Sequence, residues 1–187
     1  MNILILSPFK TGTTSLYATF YENNINVLKL HDIDHTFHTD YSHVFLLTRE
    51  RKKLYLSAYF QDIDNPEFEY HYGTQEEVLN ADISDIIKHY KKFNFEKYTH
   101  LDIKYYLNLL EKYFDVQIED LKDEEKYNVA LKNNTYFIFI RLENLSDVFE
   151  QVCLQTNLPE NIKLQSHNSS QYKWYSDLYN RMTDILL

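Results

Sequence analysis

Near the start of the chain, Ser7-Pro8-Phe9-Lys10-Thr11-Gly12-Thr13-Thr14-Ser15 gathers a lysine, a glycine and a run of hydroxyls into nine consecutive residues. Such a density of small donors suits an anion, phosphate above all. N–H groups at the start of a following helix point at it, and the helix dipole adds positive potential. The sequence holds two glycines, Gly12 and Gly73, so a glycine inside this loop is expected to have a backbone reason. A second pair, Arg49 and Ser57, follows at a spacing of eight residues. Arginine offers a planar fork of donors matched to phosphate oxygens, and serine adds one short donor. The competing reading is an Arg49 paired with Glu50 or another nearby carboxylate, and a Ser57 facing solvent. A third group is Lys29-Leu30-His31-Asp32-Ile33-Asp34-His35-Thr36-Phe37-His38. A histidine with a pKa near neutrality suits removal of a proton from a hydroxyl, which makes His31 a candidate general base. His31, Asp32, Asp34, His35 and His38 are also of the types that ligate metals, although no second ligand group stands out elsewhere.

The order of residues decides which phosphate loop is meant. A nucleoside-triphosphate P-loop reads G-x-x-x-x-G-K-[ST], with lysine after the second glycine. Here Lys10 precedes Gly12, no glycine opens the loop, and Thr13-Thr14-Ser15 follow. The arrangement P-x-K-T-G-T-T-S resembles instead the 5′-phosphosulfate loop of the sulfotransferase family, which uses the donor PAPS (3′-phosphoadenosine 5′-phosphosulfate). Arg49, Ser57 and the wording Ser57-Ala58-Tyr59-Phe60 are similar to that family's strand-terminal arginine and helical serine, which grip the 3′-phosphate. His31, two residues after Lys29, matches the family's Lys-x-His-like strand end, whose histidine takes the acceptor proton. The resemblance thus implies Lys10 and His31 as catalytic residues. It implies Lys10, Thr11, Gly12, Thr13, Thr14, Ser15, Arg49 and Ser57 as the donor site, PAP as product, and sulfuryl transfer that needs no metal.

Later in the chain, Tyr136 to Arg141 followed by Leu142-Glu143-Asn144-Leu145 is similar to the family's late core strand, where the resemblance implies a structural role for Arg141 and Glu143. The Arg-Lys-Gly-x-x-Gly motif of cytosolic small-molecule sulfotransferases is missing, and no glycine follows Gly73. Gln165 to Tyr175 resembles carbohydrate-type and bacterial or viral members, with Asn168, Ser170 or Lys173 as candidates for closing the donor site. A plain loop whose Tyr/Trp cluster packs the last helix is the other reading. The departure points to a glycan hydroxyl as acceptor rather than a small phenol, with aromatic side chains able to stack on sugar rings. Two alternatives remain: a P-loop-type nucleotide or small-molecule kinase, and a non-catalytic PAP(S)-binding relative.

These residues need elements to hold them. Ile3 to Leu6, Ile25 to Leu30, His43 to Thr48 and Tyr136 to Arg141 read as strands, with Phe114 to Ile118 as a further candidate. Leu16 to Tyr21, Glu50 to Phe60, Ile83 to Phe93, Leu101 to Tyr113, the stretch after Leu145 and Tyr175 to Leu187 read as helices. Asp62 to Gly73, polar and aromatic with Pro66, reads as a surface excursion, and Asp120 to Lys126 as a charged turn. Strands alternating with helices imply α/β architecture, a central, mainly parallel sheet flanked by helices. The resemblance makes that a three-layer P-loop-like fold. No repeat or linker divides the chain, so residues 1–187 read as one domain.

Composition narrows the class. At 187 residues the chain can bury a sizeable core. Its net charge of −9 gives no general attraction to nucleic acid or anionic membrane. An anionic donor would depend on local cations, and Lys10, Lys29, Arg49, Arg51, Lys52 and Lys53 lie in the first third. The single Cys153 excludes an intrachain disulfide and fits a reducing compartment. No apolar run has transmembrane length and no signal peptide is evident, so the expected setting is cytoplasmic. The wealth of Asn, Lys, Ile and Tyr suggests an AT-rich coding genome, a virus, phage or microbe.

Overall fold

The computed structural model describes residues 1–8, 11, 13–31, 38–95, 98, 101–119, 125–165 and 173–187. The chain forms two compact units. The first holds residues 1–49 and 102–168, and the second holds residues 50–101 and 169–187.

The first unit is built on one sheet. Its strands are β1 (Asn2–Leu6), β2 (Asn26–Leu30), β3 (His43–Thr48), β4 (Tyr127–Lys132) and β5 (Thr135–Arg141), in the order β2-β1-β3-β5-β4. The pairs β1–β2, β1–β3 and β3–β5 are parallel, and β4 joins β5 antiparallel. The central strands are apolar without a break because helices cover both of their faces. Ile3, Ile5, Phe45, Leu47, Ile138 and Ile140 pack on one face against Leu16 and Phe20 of α1 (Thr13–Glu22) and Val148, Phe149 and Val152 of α6 (Leu145–Gln155). Leu4, Leu6, Val44, Leu46, Phe137 and Phe139 pack on the other against Tyr106, Leu109 and Leu110 of α5 (Ile103–Phe114). The result is the three-layer α/β arrangement that the strand and helix pattern implies.

Two local readings are corrected. Phe114 to Ile118 is not a strand: Phe114 ends α5, and Asp115 turns the chain in the left-handed region at φ 54. Its apolar spacing serves packing instead, with Val116 buried and Phe114 edge-on to Phe137 at 5.4 Å. Strand β4, unmarked in the sequence reading, is formed by the turn Asn133-Asn134, whose φ values of 51 and 62 suit a tight hairpin.

The second unit contains α2 (Arg51–Asp62), α3 (Gln75–Asn80), α4 (Ile83–Tyr90) and α7 (Ser176–Leu186). Its core is largely aromatic: Tyr59, Phe60, Tyr70, Phe95, Tyr175 and Tyr179 are buried together. The expected surface excursion from Asp62 to Gly73 is in part interior, since Ile63 and Tyr70 are buried and the Tyr70 hydroxyl donates to Asp62 at 3.3 Å. Short α3 starts on a reciprocal cap in which Glu77 N–H donates to Thr74 Oγ1 and Thr74 N–H donates to Glu77 Oε2 at 2.7 Å. Among the described residues no helix is long and apolar enough to cross a membrane.

Candidate functional site

The strand order itself singles out a place. From β1 the chain passes through α1 to β2 on one side, and then returns to β3 on the other. In open α/β sheets ligands bind at such a switch point, outside the carboxyl ends of the strands. Here the β1–β3 ladder pairs Ile3 with His43, Leu4 with Val44 and Ile5 with Phe45, and goes no further. Beyond it, fully buried Ser7 bridges the diverging strands. Its Oγ accepts from Leu47 N–H at 2.5 Å, and its own N–H donates to the Leu30 carbonyl at 3.4 Å.

The hydroxyl-rich loop leaves this point. Thr11 is buried, and its Oγ1 donates to the Pro8 carbonyl at 2.7 Å. Thr13 is the first residue of α1 and is buried, while Thr14 and Ser15 are half-buried in the first turn. That turn carries no acidic residue, so its N-terminal N–H groups and the helix dipole are unopposed by a local carboxylate on α1. Lys10 and Gly12 lie outside the described residues.

His31 follows β2 directly and is fixed at two atoms. Its Nδ1 stands 2.8 Å from the Ser7 carbonyl, and a carbonyl only accepts, so Nδ1 carries the proton. In the neutral ring the basic lone pair is then on Nε2. The buried Tyr106 hydroxyl of α5 donates to the His31 carbonyl at 2.9 Å and anchors the backbone. Lys29, half-buried on the same strand, holds its ammonium 5.8 Å from the Tyr17 ring of α1. Of the alternative metal cluster, Asp32, Asp34 and His35 lie outside the described residues. Among the described residues no group of three His, Cys, Asp or Glu could hold a metal ion.

Arg49 leaves the end of β3. Its Nε is 3.6 Å from Glu143 Oε1, and the two side chains are 18% and 30% exposed. Glu143 sits in a single turn of 3-10 helix, Leu142–Asn144, that continues β5. The nearby carboxylate is therefore Glu143, while Glu50 lies 3.1 Å from Lys53. Thr11, Thr13, His31 and Arg49 thus share the carboxyl-end region of β1, β2 and β3. Ser57 belongs to the second unit, half-buried in the middle of α2. Asn168 and Ser170 lie outside the described residues. Lys173 holds its ammonium 5.6 Å from the Tyr175 ring. Cys153 is buried in the first unit's core and its thiol is pushed up to about 11 by desolvation and then by Glu150, which removes it from nucleophilic roles.

Sequence reasoning missed Ser7 and Tyr106, which hold His31, and Glu143 as the partner of Arg49. Ser7 had a legible signal, a lone hydroxyl capping an apolar strand; Tyr106 and Glu143 reach the site through tertiary packing. Comparison of the chain with protein-family models, with curated proteins and with solved structures finds no match.

Proposed function

We propose that the chain is a PAPS-dependent sulfotransferase acting on a hydroxyl of a carbohydrate acceptor. One observation carries this reading. His31 donates through Nδ1 to the Ser7 carbonyl at the switch point of the sheet, beside the phosphate-type loop, and so offers Nε2 as a base. In the reaction, the acceptor hydroxyl gives its proton to His31 Nε2 while its oxygen bonds to sulfur. The bond from sulfur to the donor phosphate breaks, and the phosphate oxygen keeps the electron pair, leaving PAP. Lys10 and the N–H groups around Gly12 to Ser15 offset the charge that grows on that phosphate; preorganised donors of this kind give the largest catalytic contribution in many enzymes. Arg49 takes the 3′-phosphate through the charge and planar fork of its guanidinium.

A thermal-shift comparison of PAP with ATP, ADP and AMP tests the reading. At 100-fold excess over its Kd, PAP should stabilise the protein by about 2.7 kcal/mol. A response to ATP with none to PAP would overturn the proposal in favour of a P-loop-type kinase. Tight PAP binding without sulfuryl transfer to any hydroxyl acceptor would leave a non-catalytic PAP(S)-binding protein.

A further inference from the structure

Glu143 reaches Arg49 for a topological reason. Strands β3 and β5 run parallel with Thr48 beside Arg141, so the residues that follow them leave the sheet side by side. The 3-10 turn then sets the Glu143 carboxylate against Arg49 at 3.6 Å, longer than a charge-assisted hydrogen bond. Partly exposed ion pairs of this kind are weak. A phosphate dianion offers more charge and more acceptor oxygens than one carboxylate, and it can displace Glu143. A hydroxyl cannot. We infer that Glu143 is a specificity-determining residue of the donor site: its carboxylate occupies Arg49 until a phosphate group displaces it. This rests on the donor reading above, which assigns the 3′-phosphate to Arg49. The carboxylate, left beside the bound phosphate, lowers donor affinity, and its pairing with Arg49 refuses weaker anions.

Calorimetric titration of the full chain with PAP and with AMP, which lacks the 3′-phosphate, tests this on the wild type, Glu143→Gln, Glu143→Ala and Arg49→Ala. Both Glu143 variants should bind PAP about fivefold more tightly and AMP unchanged. The gain should shrink at high salt, because the repulsion removed is screened there. Arg49→Ala should bring PAP down to the affinity of AMP. PAP bound equally or more weakly by both Glu143 variants overturns the inference and makes Glu143 a residue that orients Arg49; the donor reading survives that result. An equal gain for AMP and PAP also overturns it, since the effect would not act through the 3′-phosphate. Absence of PAP binding by the wild type removes the donor reading, and the inference with it.

Discussion

The two units of the chain solve the same problem with different materials. The first buries aliphatic strands between helices, with polar contacts at both ends of the sheet: Ser7 and His31 at the carboxyl ends, His43 at the other. The second unit packs tyrosines and phenylalanines, and several of these rings carry a hydroxyl that must be satisfied inside the core. Tyr59 shares a hydrogen bond with His89 Nδ1 at 2.8 Å, Tyr70 donates to Asp62, and Tyr98 donates to Glu69. The first arrangement leaves chemistry at the edge of a rigid frame; the second ties its packing to protonation states.

The sharpest break in the comparison is catalytic. The Gln of His31→Gln keeps an N–H that can donate to the Ser7 carbonyl but loses the ring base, so turnover should fall by about 10²–10⁴ while the melting temperature stays near the wild-type value. Lys10→Ala should cost on the order of 10²–10³ in turnover. Sulfuryl-transfer assays beside thermal melts check both, and an unchanged rate in either variant removes its mechanistic role. Large core truncations come next. Phe45→Ala in the first unit and Tyr59→Ala in the second should each cost about 3–5 kcal/mol in urea unfolding. Tyr59→Phe should cost about 1 kcal/mol more than any change of packing, because it orphans the His89 contact. If it costs nothing, the hydroxyls of the second unit are not part of what holds it.

Alkaline pH should separate the units. Burial holds the Tyr59 and Tyr70 phenols well above their ordinary range, with Tyr72 and Tyr90 adding to the first and Asp62 to the second. Burial and then Tyr55 and Tyr179 raise Tyr90 to about 12, and burial with Glu69 raises Tyr98. A folded pKa above the unfolded value of about 10 keeps the folded tyrosine neutral while the unfolded one ionises. Stability is therefore complete below pH ~10 and falls as pH rises toward the folded pKa values. Trp174, the one tryptophan of the sequence, lies in the second unit, so a red shift of its emission above that pH reports this loss. Amide exchange in β3 and β5 of the first unit, near which burial raises Tyr41, should respond less.

Acid affects both units, more gently. Burial lowers His43, and the N-terminal ammonium adds to this against the opposing hydrogen bond to the Thr156 carbonyl at 2.8 Å. Burial followed by Lys92 and His71 lowers His89. A depressed histidine must stay neutral to fold, so stability contributed by both is present above the ordinary value of ~6.5 and is lost as pH falls through it. His43→Gln and His89→Gln should each flatten the fall in melting temperature below that value; a fall of unchanged steepness in both would assign it to carboxylates.

The first unit was the more legible of the two. Unbroken apolar runs at Ile3–Leu6, His43–Thr48 and Tyr136–Arg141 can be satisfied only as strands covered on both faces, so sheet and layers follow from pattern alone. The loop from Ser7 to Ser15 reads as a phosphate-type turn from its local residues, an expectation on which the proposed donor site rests. What pattern could not show was long-range pairing: Tyr106 reaches His31 from 75 residues away, and Glu143 meets Arg49 only because β3 and β5 pair. In the second unit, Tyr70 reads as part of a surface excursion because a tyrosine suits both a surface and a core that offers its hydroxyl a carboxylate. Phe114 to Ile118 misled for a related reason: period-two apolar spacing also arises where a chain merely lies across a buried face.

The smallest effect tests whether the scarce glycines are placed for space. Gly73 has no unusual φ, but a Cβ there would stand 2.7 Å from Glu77 Oε2 and 3.2 Å from Glu77 Cβ. Glu77 cannot swing away without giving up its hydrogen bond to Thr74 N–H, the contact that lowers its pKa and starts α3. Gly73→Ala should therefore lower the melting temperature by breaking the cap rather than by straining the backbone. Glu77→Ala breaks the same cap directly and removes the carboxylate oxygen that a new Cβ would meet at 2.7 Å. The double variant should then melt no lower than Glu77→Ala alone, a coupling that a thermal double-mutant cycle reads out. Additive losses would mean that the glycine answers a backbone demand instead, and that close approach does not explain it.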